Sequence, residues 1–190
     1  MTTAPRYREE NGRSFVDIRV KSVRNLFDGR DPAPFRERDL DDDAADYITL
    51  AVEELGAKAK LALVVCLAEA PPPDVTPEVI RSAILGHFTA DRDKLDRKLR
   101  EHFRRGQAFL LMGLLVLGVF LSLAEATTHL EEGGFREILR EGLVIIGWVA
   151  MWRPIELLLY DWWPLLAQRR LRDRILSAEI SVRIDETPRA

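Results

Sequence analysis

The stretch that decides the fold reads QAFLLMGLLVLGVFLSLA and occupies residues 107–124, without a single charged side chain. Eighteen uncharged positions in a helix are just enough to cross a hydrocarbon core of about 30 Å. The mean hydropathy of the whole chain is only −0.12, and 31% of its residues are charged. Because the apolar residues are concentrated in one stretch with charged flanks, the sequence predicts a first transmembrane helix over residues 107–125.

A second apolar segment, residues 142–166, is interrupted by charge. From Gly142 the chain offers only about eleven apolar residues, or roughly 16 Å of helix, which is too short to cross. Extending the helix to Tyr160 gives a crossing length but brings in Arg153 and Glu156, with a proline kink at Pro154. We therefore predict a second transmembrane helix over 142–166, kinked at the proline and joined to the first by an external loop, 126–141.

The charges of the second segment fall on one side of a helical wheel, which forms a polar stripe of Arg153, Glu156, Tyr160 and Asp161. Tyr160 and the following tryptophans are typical of an aromatic belt at a membrane surface, and this belt places Arg153 about 12–15 Å away, near mid-depth. Nine Leu, Ile or Val residues favour insertion by about 3–5 kcal/mol, whereas a central arginine costs roughly 2.5–3.5 kcal/mol. Insertion of this segment alone is therefore marginal.

Three interpretations of the polar stripe stay open. The Arg153–Glu156 pair could pack against the first span or a second copy of the chain. Residues 153–166 could instead bend away at the proline and lie on the cytoplasmic surface. In the third interpretation the stripe lines a path for ions, protons or a small solute, since intramembrane charges commonly mark such paths.

The distribution of basic residues predicts the topology. Residues 91–106, a basic amphipathic helix, hold seven Lys or Arg, and four arginines follow the second span, but residues 125–141 hold only two. The positive-inside rule therefore places both termini in the cytoplasm, in a bacterial inner (plasma) membrane protein with two passes.

Residues 14–106 predict a cytoplasmic α/β domain. Apolar and polar residues alternate over 14–23, as in a half-buried strand, and a helical stripe follows over 40–55. Residues 58–68 form a nearly continuous apolar run, which is typical of a strand covered on both faces. Thr76 and Pro77 then provide an N-cap and a first-turn proline for the next helix.

The C-terminal residues 176–185 again alternate apolar and polar side chains. A lone strand is not stable by itself, so its expected partner is the N-terminal sheet, which again requires both termini on one side. The predicted fold is an α+β membrane protein: a small cytoplasmic β-α-β-α domain completed by a C-terminal strand, plus a two-helix transmembrane hairpin. Residues 1–13 are expected to be a flexible tail, and residues 167–190 a cytoplasmic basic segment ending in that strand.

The turn-rich loop before the first predicted helix is a candidate contact surface. Its arginines, with one aromatic residue, could bind an anionic partner or lipid headgroups. The residues concerned are Arg30, Phe35, Arg36 and Arg38. The simpler interpretation is turn chemistry, in which the arginines neutralise the acidic residues at the start of the helix.

The chain lacks the motifs of common enzyme classes. It has no phosphate-binding glycine loop, nucleophile elbow or zinc motif, and His87 with Asp91 forms no recognised metal-ligand set. We therefore expect no catalytic residue, no metal and no cofactor. A net charge of −3 argues against nucleic-acid binding, and the single cysteine, Cys66, fits a reducing compartment.

These features predict a membrane-anchored interaction or assembly protein, not an enzyme. Its partners would be the lipid bilayer and a protein partner or further copies of itself. The alternative is a small oligomeric channel or transporter component that uses the stripe of Arg153, Glu156 and Asp161.

Two segments carry a resemblance to a known group of proteins. NLFDGRDPAPFRERDLDDDAADYI (residues 25–48) combined with WVAMWRPIELLLYDWWP (residues 148–164) resembles two-span bacterial membrane proteins that have no assigned activity. The resemblance covers most of the chain and implies a bacterial inner-membrane location, but it implies no biochemical activity.

Overall fold

The computed structural model describes residues 7–10, 12–29, 31, 33–34, 38–56, 60–129 and 133–184. These residues form two compact units. One unit comprises Met1–Lys94 and Gln168–Ala190, and the other comprises Leu95–Ala167. The predicted mixed α+β class is confirmed, with a four-stranded sheet and two long apolar helices.

The described residues contain four strands, five α-helices and two short 3₁₀ helices. The strands are β1 (Arg8–Glu10), β2 (Arg13–Val20), β3 (Lys60–Leu67) and β4 (Glu179–Ile184). The helices are α1 (Asp42–Glu54), α2 (Pro77–Ala126), α3 (Gly134–Ala150), α4 (Trp152–Leu159) and α5 (Trp163–Leu176). Short 3₁₀ turns follow β2 at Val23–Asn25 and α2 at Thr127–His129.

The sheet has the order β1-β2-β3-β4. β1 and β2 form an antiparallel hairpin, whereas β2, β3 and β4 run parallel. Leu63 in β3 pairs with Val16 of β2 on one side and with Ile180 of β4 on the other. The last strand of the chain therefore lies in the same sheet as the N-terminal strands.

The core of this unit lies on one face of the sheet. Every second residue of the parallel strands points into it, because side chains alternate between the two faces of a strand. The buried sheet residues are Val16, Ile18, Leu63, Val65, Leu67 and Ile180. They pack with Ile48, Ala51 and Val52 of α1, with Ile80, Ala83, Ile84 and Phe88 of α2, and with Ile175 of α5.

The opposite face of the sheet differs from the expectation that β3 is covered by helices on both sides. Ala62 and Val64 point to this face and are buried, yet they lie outside the helix-packed core. Ala62 lies in register between Phe15 of β2 and Glu179 of β4, and the guanidinium of Arg8 lies 4.7 Å from the ring centroid of Phe15. The apolar run of β3 alone did not predict which groups cover this face.

The expectation of a flexible tail over residues 1–13 is wrong for the part that the structure describes. Residues 8–10 pair with β2, and Gly12, which precedes β2, has a φ of 70°. The hydroxyl of Tyr7 also donates a hydrogen bond to Glu54 of α1 at 2.5 Å. Residues 1–6 and 11 lie outside the described part of the chain.

The helices also differ in extent from the predicted ones. α2 begins at Pro77 directly after Thr76, as predicted, and is continuous to Ala126. α3 begins at Gly134, so most of the predicted external loop 126–141 is helical. The second long helix is interrupted at Met151, since Pro154 lacks the N–H that would bond the carbonyl of Ala150. It is interrupted again at residues 160–162.

Two segments, Pro77–His129 and Gly134–Leu176, are long and apolar enough to cross a membrane. Only 11% and 17% of their most apolar parts are buried inside the protein. Core helices of soluble proteins are mostly buried, so this exposure is the feature that favours contact with lipid.

The side chain of Arg174 connects α5 to the end of α1. Arg174 in α5 donates hydrogen bonds to the carbonyl oxygens of Val52, at 3.2 Å, and Gly56, at 2.7 Å, at the end of α1. A cation at the C-terminal end of a helix satisfies its free carbonyls and interacts favourably with its dipole.

Candidate functional site

The second unit is a hairpin in which α2, from residue 95, packs antiparallel to α3 and α4. Three glycines form its contact surface, and at each of them an added Cβ would meet the opposite helix within 2.7–3.3 Å. Gly106 faces Leu158, Gly113 faces Met151 and Pro154, and Gly147 faces Leu117 and Phe120. Small residues allow helix backbones to approach closely, which is how helices commonly associate in membranes.

The first apolar helix has two glycines that could admit a close helix neighbour, Gly113 and Gly118, and the structure shows such a contact only at Gly113. Gly113 and Gly118 lie five apart and match no GxxxG motif, and an added Cβ on Gly118 would meet nothing within 4 Å. Gly106 and Gly113 lie seven apart, which is the heptad spacing of left-handed helix packing. The sequence therefore contains two of the contact glycines at a spacing of seven residues rather than four.

The predicted polar stripe lies on the outside of this hairpin. Nη1 of Arg153 lies 2.9 Å from a carboxylate oxygen of Glu156, and its Nη2 lies 3.6 Å from one of Asp161. The Arg153 side chain is 62% exposed, and Tyr160 is exposed as well. The structure thus brings Arg153, Glu156 and Asp161 together as one ion-paired group, here called the charged triad.

The register of the hairpin gives the depth of the triad within the apolar stretch. Between the contacts of Gly106 with Leu158 and of Gly113 with Met151, Arg153 lies level with Leu111. That position is about 6 Å from the basic end of the uncharged stretch 107–124, at 1.5 Å per residue. Arg153 therefore lies in the third of the stretch nearest the basic end, closer to that end than the sequence predicted.

Aromatic and polar contacts close the basic end of the hairpin. The ring centroids of Phe103 and Trp162 are 6.0 Å apart. Nε2 of His102 lies 2.9 Å from the carbonyl oxygen of Leu157. Because a carbonyl only accepts, Nε2 carries the proton and donates the hydrogen bond. The helix is interrupted at residues 160–162, so the Leu157 carbonyl would otherwise have no donor from the next turn.

The arginine-rich loop is only partly described. Arg30, Phe35 and Arg36 lie outside the described residues. Nε of Arg38 donates to the carbonyl of Ala33 at 3.1 Å, which is a contact within the turn. The described part of this loop therefore supports the simpler interpretation as turn chemistry.

Asp31 organises the same loop. Its carboxylate accepts hydrogen bonds from the backbone N–H groups of Asp39 and Ala33, both at 2.9 Å. These backbone hydrogen bonds, that from Asp39 first, lower the pKa of Asp31 below its ordinary value of 3.8. Hydrogen bonds of this kind favour the charged carboxylate, so the loop geometry depends on ionised Asp31.

His87 and Asp91, considered above as metal ligands, belong to an ion-paired cluster. His87 lies between two carboxylates, with Nδ1 3.3 Å from Asp39 and Nε2 3.9 Å from Asp91. Asp91 is also 3.1 Å from the ammonium of Lys94 and 3.8 Å from Arg172. Within the described residues, no group of three or more His, Cys, Asp or Glu side chains could hold a metal ion.

A groove of about 900 Å³ lies between β2 and the start of α1. Sequence reasoning did not find it, because its walls come from segments far apart in the chain. Charged and polar residues of both signs line much of it, among them Arg19, Arg24, Asp41 and Asp43. Tyr47 of α1 lies across the groove, and its hydroxyl donates to the carbonyl oxygen of Asp17 at 3.4 Å.

The floor of the groove is the edge of β2. β1 pairs with β2 only as far as Phe15, so beyond it the edge has no strand partner among the residues that the structure describes. In the register of the β1–β2 hairpin, every second residue of β2 directs its backbone N–H and C=O groups toward the β1 side. Asp17 and Arg19 are the next β2 residues in this series. The groove therefore presents the backbone N–H groups of Asp17 and Arg19 and the carbonyl of Arg19 at strand spacing, whereas the carbonyl of Asp17 already accepts from Tyr47.

No known protein family, no curated protein and no solved structure matches the chain.

Proposed function

We propose that this chain is a membrane-anchored interaction protein of the bacterial inner membrane, with two passes and both termini in the cytoplasm. Its hairpin is the anchor, and its α/β unit binds a protein partner. The proposal gives the chain a binding role rather than a catalytic one. It agrees with the basic flanks of the two apolar helices and with the resemblance to two-span bacterial membrane proteins.

The observation that carries the binding role is the edge of β2 in the groove. Its backbone donors and acceptors favour an extended segment that adds a strand to the sheet, as in peptide recognition by β-augmentation. Charges of both signs on the walls then select among partner segments. Arg19 and Arg24 would attract acidic side chains, and Asp41 and Asp43 would attract basic ones.

Photo-crosslinking from the groove tests this function. A crosslinking residue at Arg24, which lines the groove, should capture one defined partner in native membranes, and the same residue at Glu53, exposed on α1 outside the groove, should not. Arg19→Pro removes the groove-facing N–H and should lower the yield about fivefold, as expected for one backbone hydrogen bond of about 1 kcal/mol. Arg19→Ala keeps that N–H and is the matched control.

Two results would contradict the proposal. One is an equal loss of crosslinking with Arg19→Pro and Arg19→Ala, since the backbone would then have no specific role. The other is a crosslink from the groove to residues 1–6 of the same chain, which would assign the edge to the chain itself. A variant without residues 1–6 separates the two cases.

The exposure of the charged triad supports a second candidate, an oligomeric channel or transporter component. Several copies would turn their triads to a common axis, and Glu156 or Asp161 would bind a proton or cation. Ion flux into liposomes that is lost with Glu156→Gln would support this candidate. With an interaction protein, Arg153→Leu should leave flux unchanged and insertion equal or better.

A further inference from the structure

We infer that the charged triad binds a zwitterionic phospholipid headgroup with a primary ammonium, as in phosphatidylethanolamine. The inference rests on the membrane anchoring proposed above, but not on the partner groove. Three features support it: the level of the triad, the free hydrogen-bonding groups of Arg153, and the arrangement of its charges.

The level of the triad is that of a headgroup region. Arg153 lies about 6 Å inside the uncharged stretch, but its guanidinium is paired with Asp161, which follows the end of α4. Phe103 and Trp162 are in contact at the same end, so Asp161 lies level with the basic residues that precede the stretch. A long arginine side chain directed to the surface in this way brings its charge to the membrane–water boundary.

Arg153 keeps donors for a phosphate. Its partners among the described residues are Glu156 and Asp161, and only the contact with Glu156 is a hydrogen bond. A guanidinium has five N–H groups, so at least three are available to phosphate oxygens. The side chain is 62% exposed on the outside of the hairpin, where a headgroup has access.

The two carboxylates complement an ammonium. The triad holds one positive and two negative charges, and both carboxylate side chains are partly exposed. A phosphate at Arg153 would place a neighbouring primary ammonium within reach of Glu156 or Asp161, and its N–H groups would donate to them. A choline headgroup has no N–H to donate, and an anionic headgroup brings a phosphate without an ammonium that could pair with the two carboxylates.

Native mass spectrometry of the full chain in detergent tests the inference with three phospholipids of the same acyl chains. We expect phosphatidylethanolamine to bind about tenfold more tightly than phosphatidylcholine, and phosphatidylglycerol to bind more weakly than phosphatidylethanolamine. The double variant Glu156→Gln, Asp161→Asn should lose the preference over phosphatidylcholine. Glu141→Gln, at the other end of α3–α4, should keep it and is the matched control.

Three results would overturn the inference: equal binding of the ethanolamine and choline lipids, tighter binding of the glycerol lipid, or a preference that survives in the double variant with unchanged helix content. Flotation with phosphatidylcholine vesicles distinguishes failure of the headgroup site from failure of the proposed membrane anchoring. A chain that floats but shows no preference refutes the headgroup site alone, and a chain that does not float refutes both.

Discussion

Gly113→Ala should destabilise the hairpin relative to Gly118→Ala, five residues along the same helix. An added Cβ at Gly113 would lie 3.0 Å from Cγ of Pro154, 3.1 Å from Sδ of Met151 and 3.3 Å from the carbonyl oxygen of Ala150. The proline ring and the carbonyl cannot rotate away, so the two helices must separate by a few tenths of an ångström. At Gly118 nothing lies within 4 Å.

The difference between the two variants isolates the packing cost. Alanine is favoured over glycine in a helix by about 1 kcal/mol at either position, so this gain cancels in the comparison. Overpacking a close contact costs about 1–3 kcal/mol. We therefore expect Gly118→Ala to be about 1–3 kcal/mol more stable than Gly113→Ala, which is roughly a 5- to 150-fold difference in the unfolding equilibrium.

The chain is well suited to this measurement. All four of its tryptophans lie between residues 148 and 163, so their fluorescence during unfolding by SDS in mixed micelles reports on the hairpin. Equal stability of the two alanine variants would refute the close approach at Gly113. A further test is Met151→Ala, which removes one of the three contacts and should reduce the penalty of Gly113→Ala in a double-mutant cycle.

Three predictions concern the α/β unit. Arg174→Gln should lower its stability by about 1–2 kcal/mol in urea unfolding, because the end of α1 loses a charged donor; an unchanged midpoint would assign no stabilisation to that contact. Ile48→Ala, in the core, should lower the free energy of unfolding by about 2–5 kcal/mol, as measured by thermal unfolding. Leu50→Ala, half exposed on the same helix, should lower it by less than about 0.5 kcal/mol. Similar losses in the two variants would contradict the packing of α1. Since the pKa of Asp31 is lowered in the folded chain, the ionised carboxylate stabilises the loop fully above the unfolded pKa, and this stabilisation is lost as the pH falls through the folded pKa. Amide hydrogen exchange of Asp39 between pH 6 and 3 should show this loss, and Asp31→Asn should abolish the pH dependence. An exchange profile that Asp31→Asn leaves unchanged would refute the role of Asp31.

Local patterns predicted much of the fold. The alternation of Val16 and Ile18 places both side chains in the core, and Thr76 with Pro77 marks the first residue of α2. These elements depend on residues close in sequence, through strand periodicity and helix capping, which is why they were visible. The hairpin of β1 and β2 was missed, although an Asn-Gly pair at residues 11–12 is a recognised hairpin signal.

The candidate sites depended on longer-range geometry. That Arg153 pairs with Glu156 follows from helical spacing, but its level in the apolar stretch follows from which residues of α2 face α4. The groove has the same character, since among the described residues β1 pairs with β2 only as far as Phe15, and α1 packs beside the remaining edge. Both the level of Arg153 and the groove depend on how separate segments pack together. Neither could be derived from the residues of one segment alone.

The parallel pairing of β3 with β4 has a consequence for synthesis of the chain. β4 leaves the ribosome after both long apolar helices, and Ile175 and Ile180 arrive with it to complete the core. Until then the far edge of β3 has no neighbour, and an exposed strand edge invites aggregation. Completion of the domain therefore depends on synthesis of the whole hairpin, and a chain stalled between the two long apolar helices would display an unfinished sheet.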